Sequence, residues 1–462
     1  MDSRIHQNYH ELFEISNKKL SESELWDNYL QIDQILQSIL ELEAQNIKEV
    51  QRCDSIEVFI DWIRKGGAVI DGLSIQNFPH YGLGLRAEQD FEKHDLLLRI
   101  PRKLIFNTLT AAPELSELGA DFIMDHIPLC MPNVVLAIAL LIEKQKENSK
   151  WKYYINMLPK TYNTVLYMKS SDLALIKGCS ILEDVLKLIR SIARQYVYLK
   201  NLWETTSNPV SKLLKKNFTY DNYRWAVSTV MTRQNLIPCE NEIKRLNSLI
   251  PMWDMCNHEE GEITTDFVME SNSCDCYSMR SFNKAEQIFI FYGCRTNREF
   301  FLHSGFVYSD NQNDNYRLRL GLSKSDELKK ERIQVLEKIG LSSTDDYFIK
   351  AEFEDLPEPL LGFLRVFHLS KSEIHHWLKS ENPLNLTKST FKMSDNVDEK
   401  VLKYLFTRLR LLHLKISQTN QNEDNMEEKK VNELQKLVLQ MKLSEKNLLQ
   451  NILSRLENKM AK

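Results

Sequence analysis

Between Asn133 and about Met231 the apolar residues recur at helical spacing, and on either side of that block they do not. The clearest helical run is Ile181, Val185, Leu188, Ile192, Tyr196, Leu199 and Trp203, an unbroken i+3/i+4 stripe. Ahead of the block, "GLSIQNFPHYGLGLRAEQDFEKHDLLLRIPRKLIF" is apolar in short bursts broken by Gly and Pro, which is strand-and-turn chemistry. After it, "TTDFVME", "CYSMRS" and "QIFIFYG" read as strands, the last so apolar that both of its faces must be buried. The chain is therefore α+β: a β-rich domain, expected over residues 71–312, that carries a helical insert at about 133–231.

The flanks are helical. Leu25, Tyr29, Ile32, Ile35, Leu36, Ile39 and Leu40 set a helix within residues 22–50, and a second follows at Val58–Lys65, so residues 1–70 form a helical lead. Thr219 is an expected N-cap for a helix carrying Tyr223, Val227 and Val230. The polar run Tyr308–Arg317 marks a boundary, and residues 313–462 read as an all-helical domain. Its helices are expected at Lys324–Ile339, Glu358–Leu369, Lys371–Leu378 and Val397–Ile416. "SQTNQNEDNMEEKK" has no core formers and is expected as a flexible loop, followed by a stripe at Val431, Leu434, Val438 and Met441. Ser444 is expected to cap a last helix through Leu456. At 462 residues the length allows about three such domains.

Charge and hydropathy exclude some functions. With 60 basic against 64 acidic residues and a net charge of −4, the chain lacks the basic footprint of a nucleic-acid binder. The longest apolar run, Val134–Ile142, is too short for a membrane span, and the N-terminus has no basic-then-apolar signal pattern. The eight scattered cysteines suit reduced, mostly buried thiols. A cytoplasmic monomer is expected, with nuclear entry left open.

One stretch, "IPMWDMCNH" (Ile250–His258), crowds chemistry-bearing side chains together. Cys256 and His258 with Cys274 and Cys276 would offer four soft metal ligands, but structural zinc sites pair cysteines at C-x₂₋₄-C spacing, and a one-residue gap fits poorly. A Cys256–His258 nucleophile pair is also poorly placed, because the base in such enzymes usually comes from a distant segment. No metal site is expected. "GLGLR" (Gly82–Arg86) is a bare G-x-G, without the third glycine of a dinucleotide fingerprint. It is either a tight turn into a strand or a close approach of backbone to a ligand.

Taken together, "YGLGLRA", "WDMCNH" and "AEQIFIFYG", in this order and with a helical insert between them, resemble the motifs of the SET-domain methyltransferases. The C-terminal helices are similar to the substrate-binding domain of the Rubisco large-subunit methyltransferase group. "FTYDNYRWAVSTVMTRQNLIP", "LIPMWDMCNHEEGEITT", "IARQY", "FIFYGCRTNREFFLHSGF" and "LGLSKSD" resemble, more narrowly, the SET enzymes of animals that methylate a histidine of actin. The resemblance implies S-adenosylmethionine as methyl donor and actin as protein substrate. It implies a cofactor site made by Arg52, the turn Tyr81-Gly82-Leu83, Arg233, Asp254, Met255, Cys256, Asn257 and His258, and Ser304-Gly305-Phe306. It implies Tyr292 as the active-site tyrosine, Asn235 and Trp253 as walls of the histidine pocket, and Arg194, Gln195 and Arg295 as contacts to the actin segment. Tyr81 and Leu83 stand where the family pattern has an acid and a phenylalanine, so backbone contacts are expected there.

Methyl transfer needs alignment of donor and acceptor rather than a protein nucleophile. A neutral imidazole, with an ordinary pKa of about 6.5, is ready to react near pH 7, whereas a lysine near 10.4 must first lose a proton. A side-chain amide can hold one imidazole tautomer, the part expected of Asn235. The alternatives are a SET-type lysine methyltransferase and a non-catalytic binding module.

Overall fold

The computed structural model describes residues 3–44, 52–118, 131–239, 244–393, 395–418 and 431–461. These fall into two compact units. The first comprises Met1–Ser170, Glu183–Cys294 and Phe301–Phe306, and the second Ser171–Leu182, Arg295–Phe300 and Val307–Lys462. Among the described residues no helix is long and apolar enough to cross a membrane.

The first unit opens with helices α1 (Ser3–Asn17), which the sequence reading did not anticipate, α2 (Leu25–Glu43) and α3 (Ile56–Lys65). The insert carries α4 (Pro132–Gln145), α5 (Leu182–Thr205) and α6 (Tyr220–Arg233). Pro132 starts α4, where its missing N–H costs nothing, and the run Leu136–Ile142 is buried throughout. Thr219 caps α6 as expected, its hydroxyl accepting from the Asn222 N–H at 3.2 Å. One carboxylate ties the lead to the insert. Glu43, at the end of α2, accepts from the hydroxyls of Tyr9 (2.7 Å) and Tyr196 (2.5 Å) and from the Tyr220 N–H (2.7 Å) that opens α6.

The strands of this unit are β1 (Leu73–Phe78), β2 (Gly82–Ala87), β3 (Leu96–Pro101), β4 (Asn235–Pro238), β5 (Arg245–Ser248), β6 (Asn257–His258), β7 (Thr265–Val268), β8 (Ser273–Tyr277) and β9 (Gln287–Ile290). They form small sheets of order β1-β2-β9-β6 and β3-β8-β7, with β4 and β5 as a hairpin. The buried strand β9 is antiparallel to β2, pairing Leu85 with Ile288, and parallel to β6, pairing Asn257 with Phe289 and His258 with Ile290. The segment after Ile250 thus docks beside a strand formed later in the chain.

The second unit holds α7 (Lys329–Lys338), α8 (Glu358–His368), α9 (Lys371–Lys379), α10 (Asp395–Gln418) and α11 (Glu433–Met460). It is helical in the main, but the expectation of an all-helical domain needs correction. β10 (Asn315–Gly321) pairs antiparallel with β11 (Thr344–Lys350). In β10 Tyr316, Leu318 and Leu320 are buried while Arg317 and Arg319 alternate with them, a period-2 signal masked by the charges. A second correction concerns Ser444. It lies inside one continuous helix, α11, which Asn432 caps by accepting from the Gln435 N–H at 2.9 Å. The expected loop at residues 417–430 lies almost wholly outside the described residues.

Two buried charges organise this unit. Arg365 of α8 donates to both carboxylate oxygens of Asp398 (2.7 and 3.0 Å) and to the carbonyls of Leu386 (3.2 Å), Lys388 (2.9 Å) and Phe391 (2.8 Å). Glu445 of α11 is buried and accepts from the Ser180 N–H at 2.6 Å. Burial outweighs these hydrogen bonds and pushes its carboxyl up from 4.5 to about 7. The folded state therefore binds this proton more tightly than the unfolded chain does. The associated stability is complete below pH 4.5 and is lost as pH rises through about 7. At about 1.4 kcal/mol per pH unit the loss is on the order of 3 kcal/mol. Glu445→Gln, which keeps an acceptor but cannot ionise, is expected to flatten this dependence. Urea unfolding of wild type and variant at pH 5 and pH 8 measures it, and equal slopes for the two would refute it.

Candidate active site

The chain around Trp253 is forced into an unusual turn. Met252 has a φ of 72°, left-handed for a buried non-glycine residue, and such a position costs about 1–3 kcal/mol. The turn closes with Asp254 N–H to the Ile250 carbonyl (3.0 Å) and Cys256 N–H to the Trp253 carbonyl (3.0 Å). One consequence is that successive side chains point in different directions. Trp253 lines a cavity of about 410 Å³, while Asp254 is buried against Tyr154 and Arg233.

That cavity brings together Asn235 from the start of β4, Trp253, and Tyr292 from just past β9, along with Ile250, Ile290 and Phe291. Each of the three polar side chains is held by the protein. The Trp253 indole donates to Thr265 Oγ1 (2.9 Å), and the Asn235 amide nitrogen donates to the Arg233 carbonyl (3.3 Å). The Tyr292 hydroxyl donates to the Cys256 carbonyl (2.6 Å), and the Tyr292 N–H reaches His258 Nδ1 at 3.3 Å. The hydroxyl spends its proton on that carbonyl, so toward any other group Tyr292 Oη acts as an acceptor.

Behind the cavity lies a buried polar cluster. Arg233 Nη1 donates to the Asp254 carbonyl and sits 3.5 Å from its carboxylate, which also accepts from the Tyr154 hydroxyl at 2.5 Å. Burial raises the Asp254 carboxyl, and Arg233 opposes that rise. Burial also works against the Arg233 charge, but Asp254 outweighs it and holds the guanidinium protonated. Arg52 donates to the Met157 carbonyl at 2.8 Å. The ring of His258 lies 5.2 Å from Tyr292 and 6.0 Å from Phe306. Gly305, at φ 75°, needs its missing side chain, since a Cβ there would come 3.0 Å from the backbone of Asn163.

Several polar atoms in this region are buried without a hydrogen-bond partner: Arg233 Nε, Asp254 Oδ1, Asn257 Nδ2 and Ser304 Oγ. Buried polar groups are almost always satisfied, so each of these atoms is a candidate contact for a polar ligand. Gly84, the second glycine of the G-x-G, lies close against Gln287 and Asn257. A Cβ on it would meet Asn257 Nδ2 at 2.9 Å.

Other expected residues lie elsewhere. Tyr81 is exposed with its ring edge against Phe289, Gly82 opens β2 at φ 73°, Leu83 is half-buried, and Met255 is buried. Gln195 is packed inside α5, accepting from the Tyr223 hydroxyl (3.0 Å) and donating to Ser191 (3.3 Å), while Arg194 is exposed. Neither lines the cavity. Arg295 belongs to the second unit, where its carbonyl accepts from Asn311. Cys256 is inert: burial pushes its thiol well up, and Cys276 rises to about 11 for the same reason. Among the described residues no group of three His, Cys, Asp or Glu side chains is arranged to hold a metal ion. Tyr154 and Thr265, which anchor Asp254 and Trp253, escaped the sequence reading because nothing local distinguishes them.

Comparison with known proteins identifies this arrangement. The SET domain family model matches residues 82–293, and the Rubisco LSMT substrate-binding model matches residues 323–449. The actin-histidine N-methyltransferase of Gallus gallus is 35% identical over 433 residues, which is 92% of this chain and 72% of that protein. This chain belongs to the SET-domain actin-histidine N-methyltransferase family. Other members are similar to the same degree. The Homo sapiens protein is 34% identical over 92% of this chain and 72% of its own length, and the Danio rerio protein 34% over 93% and 73%. The structure of Rubisco LSMT bound to AdoMet superposes with a TM-score of 0.70, covering 88% of this chain and 92% of that one. At 22% identity that likeness bears on the fold alone. Family membership gives the α+β fold with helical terminal regions its name, a SET fold.

Proposed function

We infer that the chain is an S-adenosylmethionine-dependent protein-histidine N-methyltransferase that modifies a ring nitrogen of a histidine in actin. Membership of the family supports the reaction. The observation that carries the acceptor is the convergence of Asn235, Trp253 and Tyr292 on one cavity.

The cofactor fits the unpartnered atoms. Asn257 Nδ2 and Arg233 Nε are donors and Asp254 Oδ1 an acceptor, a mixed set suited to the carboxylate and ammonium of a methionine moiety. S-adenosylmethionine supplies an electrophilic methyl group on a sulfonium. The chain's own residues do the rest. One N–H of the Asn235 amide donates to the Arg233 carbonyl, which orients the amide and leaves its oxygen to accept from one ring N–H of the substrate. That choice of tautomer turns the lone pair of the other nitrogen toward the methyl. Trp253, fixed by Thr265, narrows the cavity to a flat ring. Tyr292 Oη offers weak C–H···O contacts that orient the methyl, and Ile290 and Phe291 keep water out.

Mass spectrometry of actin after incubation with the chain and S-adenosylmethionine tests the reading. One added methyl on a histidine supports it; transfer to lysine instead would overturn the acceptor. A further result is expected of Asn235→Ala. Loss of the tautomer-fixing acceptor, worth about 1–1.5 kcal/mol, should cut kcat/KM roughly tenfold. Cofactor affinity, read by calorimetry, should hold. An equal rate would remove Asn235 from the mechanism.

A further inference from the structure

One part of the cavity wall is made by Pro238, at the end of β4, and by Phe267 and Met269, in and after β7. These strands do not pair with each other: β4 joins β5, and β7 joins β8. Among the described residues no backbone ladder sets the distance between the two halves of the wall. Backbone links run through the segment after β3, with Arg102 N–H to the Asn272 carbonyl (3.0 Å) and Phe106 paired with Leu249, so side chains of that segment can set the spacing.

One side chain bridges them. Arg102 follows β3 and is not itself part of the cavity lining. Its Nη1 donates to the Pro238 carbonyl at 2.6 Å, and its Nη2 contacts Met269 Sδ at 3.7 Å. The guanidinium plane lies over the Phe267 ring, with Cζ 4.3 Å from the ring centroid. Its Nε donates to Asn272 Oδ1 at 2.6 Å, a further anchor on a residue that does not line the cavity. A planar fork with five donors suits this combination of carbonyl, amide and ring, and an ammonium does not.

We propose that Arg102 is a positioning residue for the substrate: it ties Pro238 to Phe267 and Met269 and so sets how tightly the cavity holds the substrate segment, without touching it. The proposal rests on reading this cavity as the substrate site. The cofactor-side atoms around Asp254 and Asn257 make no contact with Arg102 in the hydrogen-bond network, so cofactor affinity is independent of it.

The test is steady-state kinetics on Arg102→Lys with an actin peptide carrying the target histidine and with the same peptide carrying lysine there. Cofactor calorimetry and urea unfolding accompany it. KM for the peptide is expected to rise about tenfold, the scale of one or two oriented hydrogen bonds, with kcat and cofactor affinity little changed. Asn272→Gly removes the outer acceptor while tolerating the φ of 50° at that position, and a smaller rise in KM is expected. An unchanged KM in both variants overturns the proposal. So does a joint loss of kcat, cofactor affinity and stability, which would mark Arg102 as a general structural support. If wild type methylates the lysine peptide and not the histidine one, the acceptor reading fails, and KM for the lysine peptide still decides the role of Arg102. If neither is methylated, peptide affinity by calorimetry decides it.

Discussion

Tyr292→Phe is expected to slow methyl transfer on the order of 100-fold, the scale seen when a reacting group loses its alignment by about 1 Å, while S-adenosylmethionine still binds. The hydroxyl does two things. It donates to the Cys256 carbonyl, which fixes its direction, and it belongs to a side chain that lines the cavity. Phenylalanine keeps the ring against His258 and Phe306, so the aromatic packing survives. Single-turnover kinetics with calorimetry of cofactor binding separates the two roles. Loss of turnover with intact binding supports alignment. Undiminished turnover removes Tyr292 from the mechanism, and a parallel loss of both would reduce it to a prop for the Cys256 turn.

The largest effect on stability is expected at Arg365. Arg365→Met fills similar volume, but it leaves the Asp398 carboxylate and three or more carbonyls without their donor. Asp398 is partly exposed and can recover some solvation, whereas the carbonyls of Leu386 and Phe391 turn toward the space that the guanidinium fills. Removing one partner of such a buried pair typically costs about 3–5 kcal/mol. Denaturant unfolding that shifts by less than about 1 kcal/mol would show that the network is replaceable. The loss falls within the second unit, so cofactor binding measured in native conditions checks whether the first unit is left intact.

How much of this was legible in the sequence depended on where each signal lives. Helices α5 and α6 announced themselves, because their apolar residues repeat along the chain and Thr219 has the chemistry of a cap. β9 was legible for the same local reason. The two-stranded sheet β10–β11 was missed because the alternating arginines of β10 and the paired aspartates of β11 look like a solvated face until the burial of Tyr316, Leu318 and Ile349 is known. Residues 250–258 stood out in the sequence for their crowded chemistry, but their division into a face toward the cavity and a face toward Arg233 depends on the left-handed turn at Met252. No pattern in one dimension gives that. The anchors Tyr154, Thr265 and Arg102 are ordinary residues in ordinary contexts, and only their distances make them matter. Gln195 shows the opposite case: a position matched by motif sits inside the insert, held by Tyr223.

The pairing of β6 and β2 with β9 has a consequence for the order in which the molecule comes together. β9 is matched on one side with residues near 85 and on the other with residues near 257, so until the chain reaches Ile290 β2 has only its local partner β1 and β6 has no strand beside it. Contacts so far apart in sequence close late, because the loop entropy must be met before they form. Collapse of the insert helices, whose contacts are local, can precede them. Asn257, His258 and Tyr292 therefore reach their places late in folding, and an early intermediate lacks both the proposed cofactor site and the cavity beside Trp253. Added S-adenosylmethionine should slow unfolding and leave the first refolding phase unchanged, so the appearance of its binding during refolding is a clock for the last step of assembly.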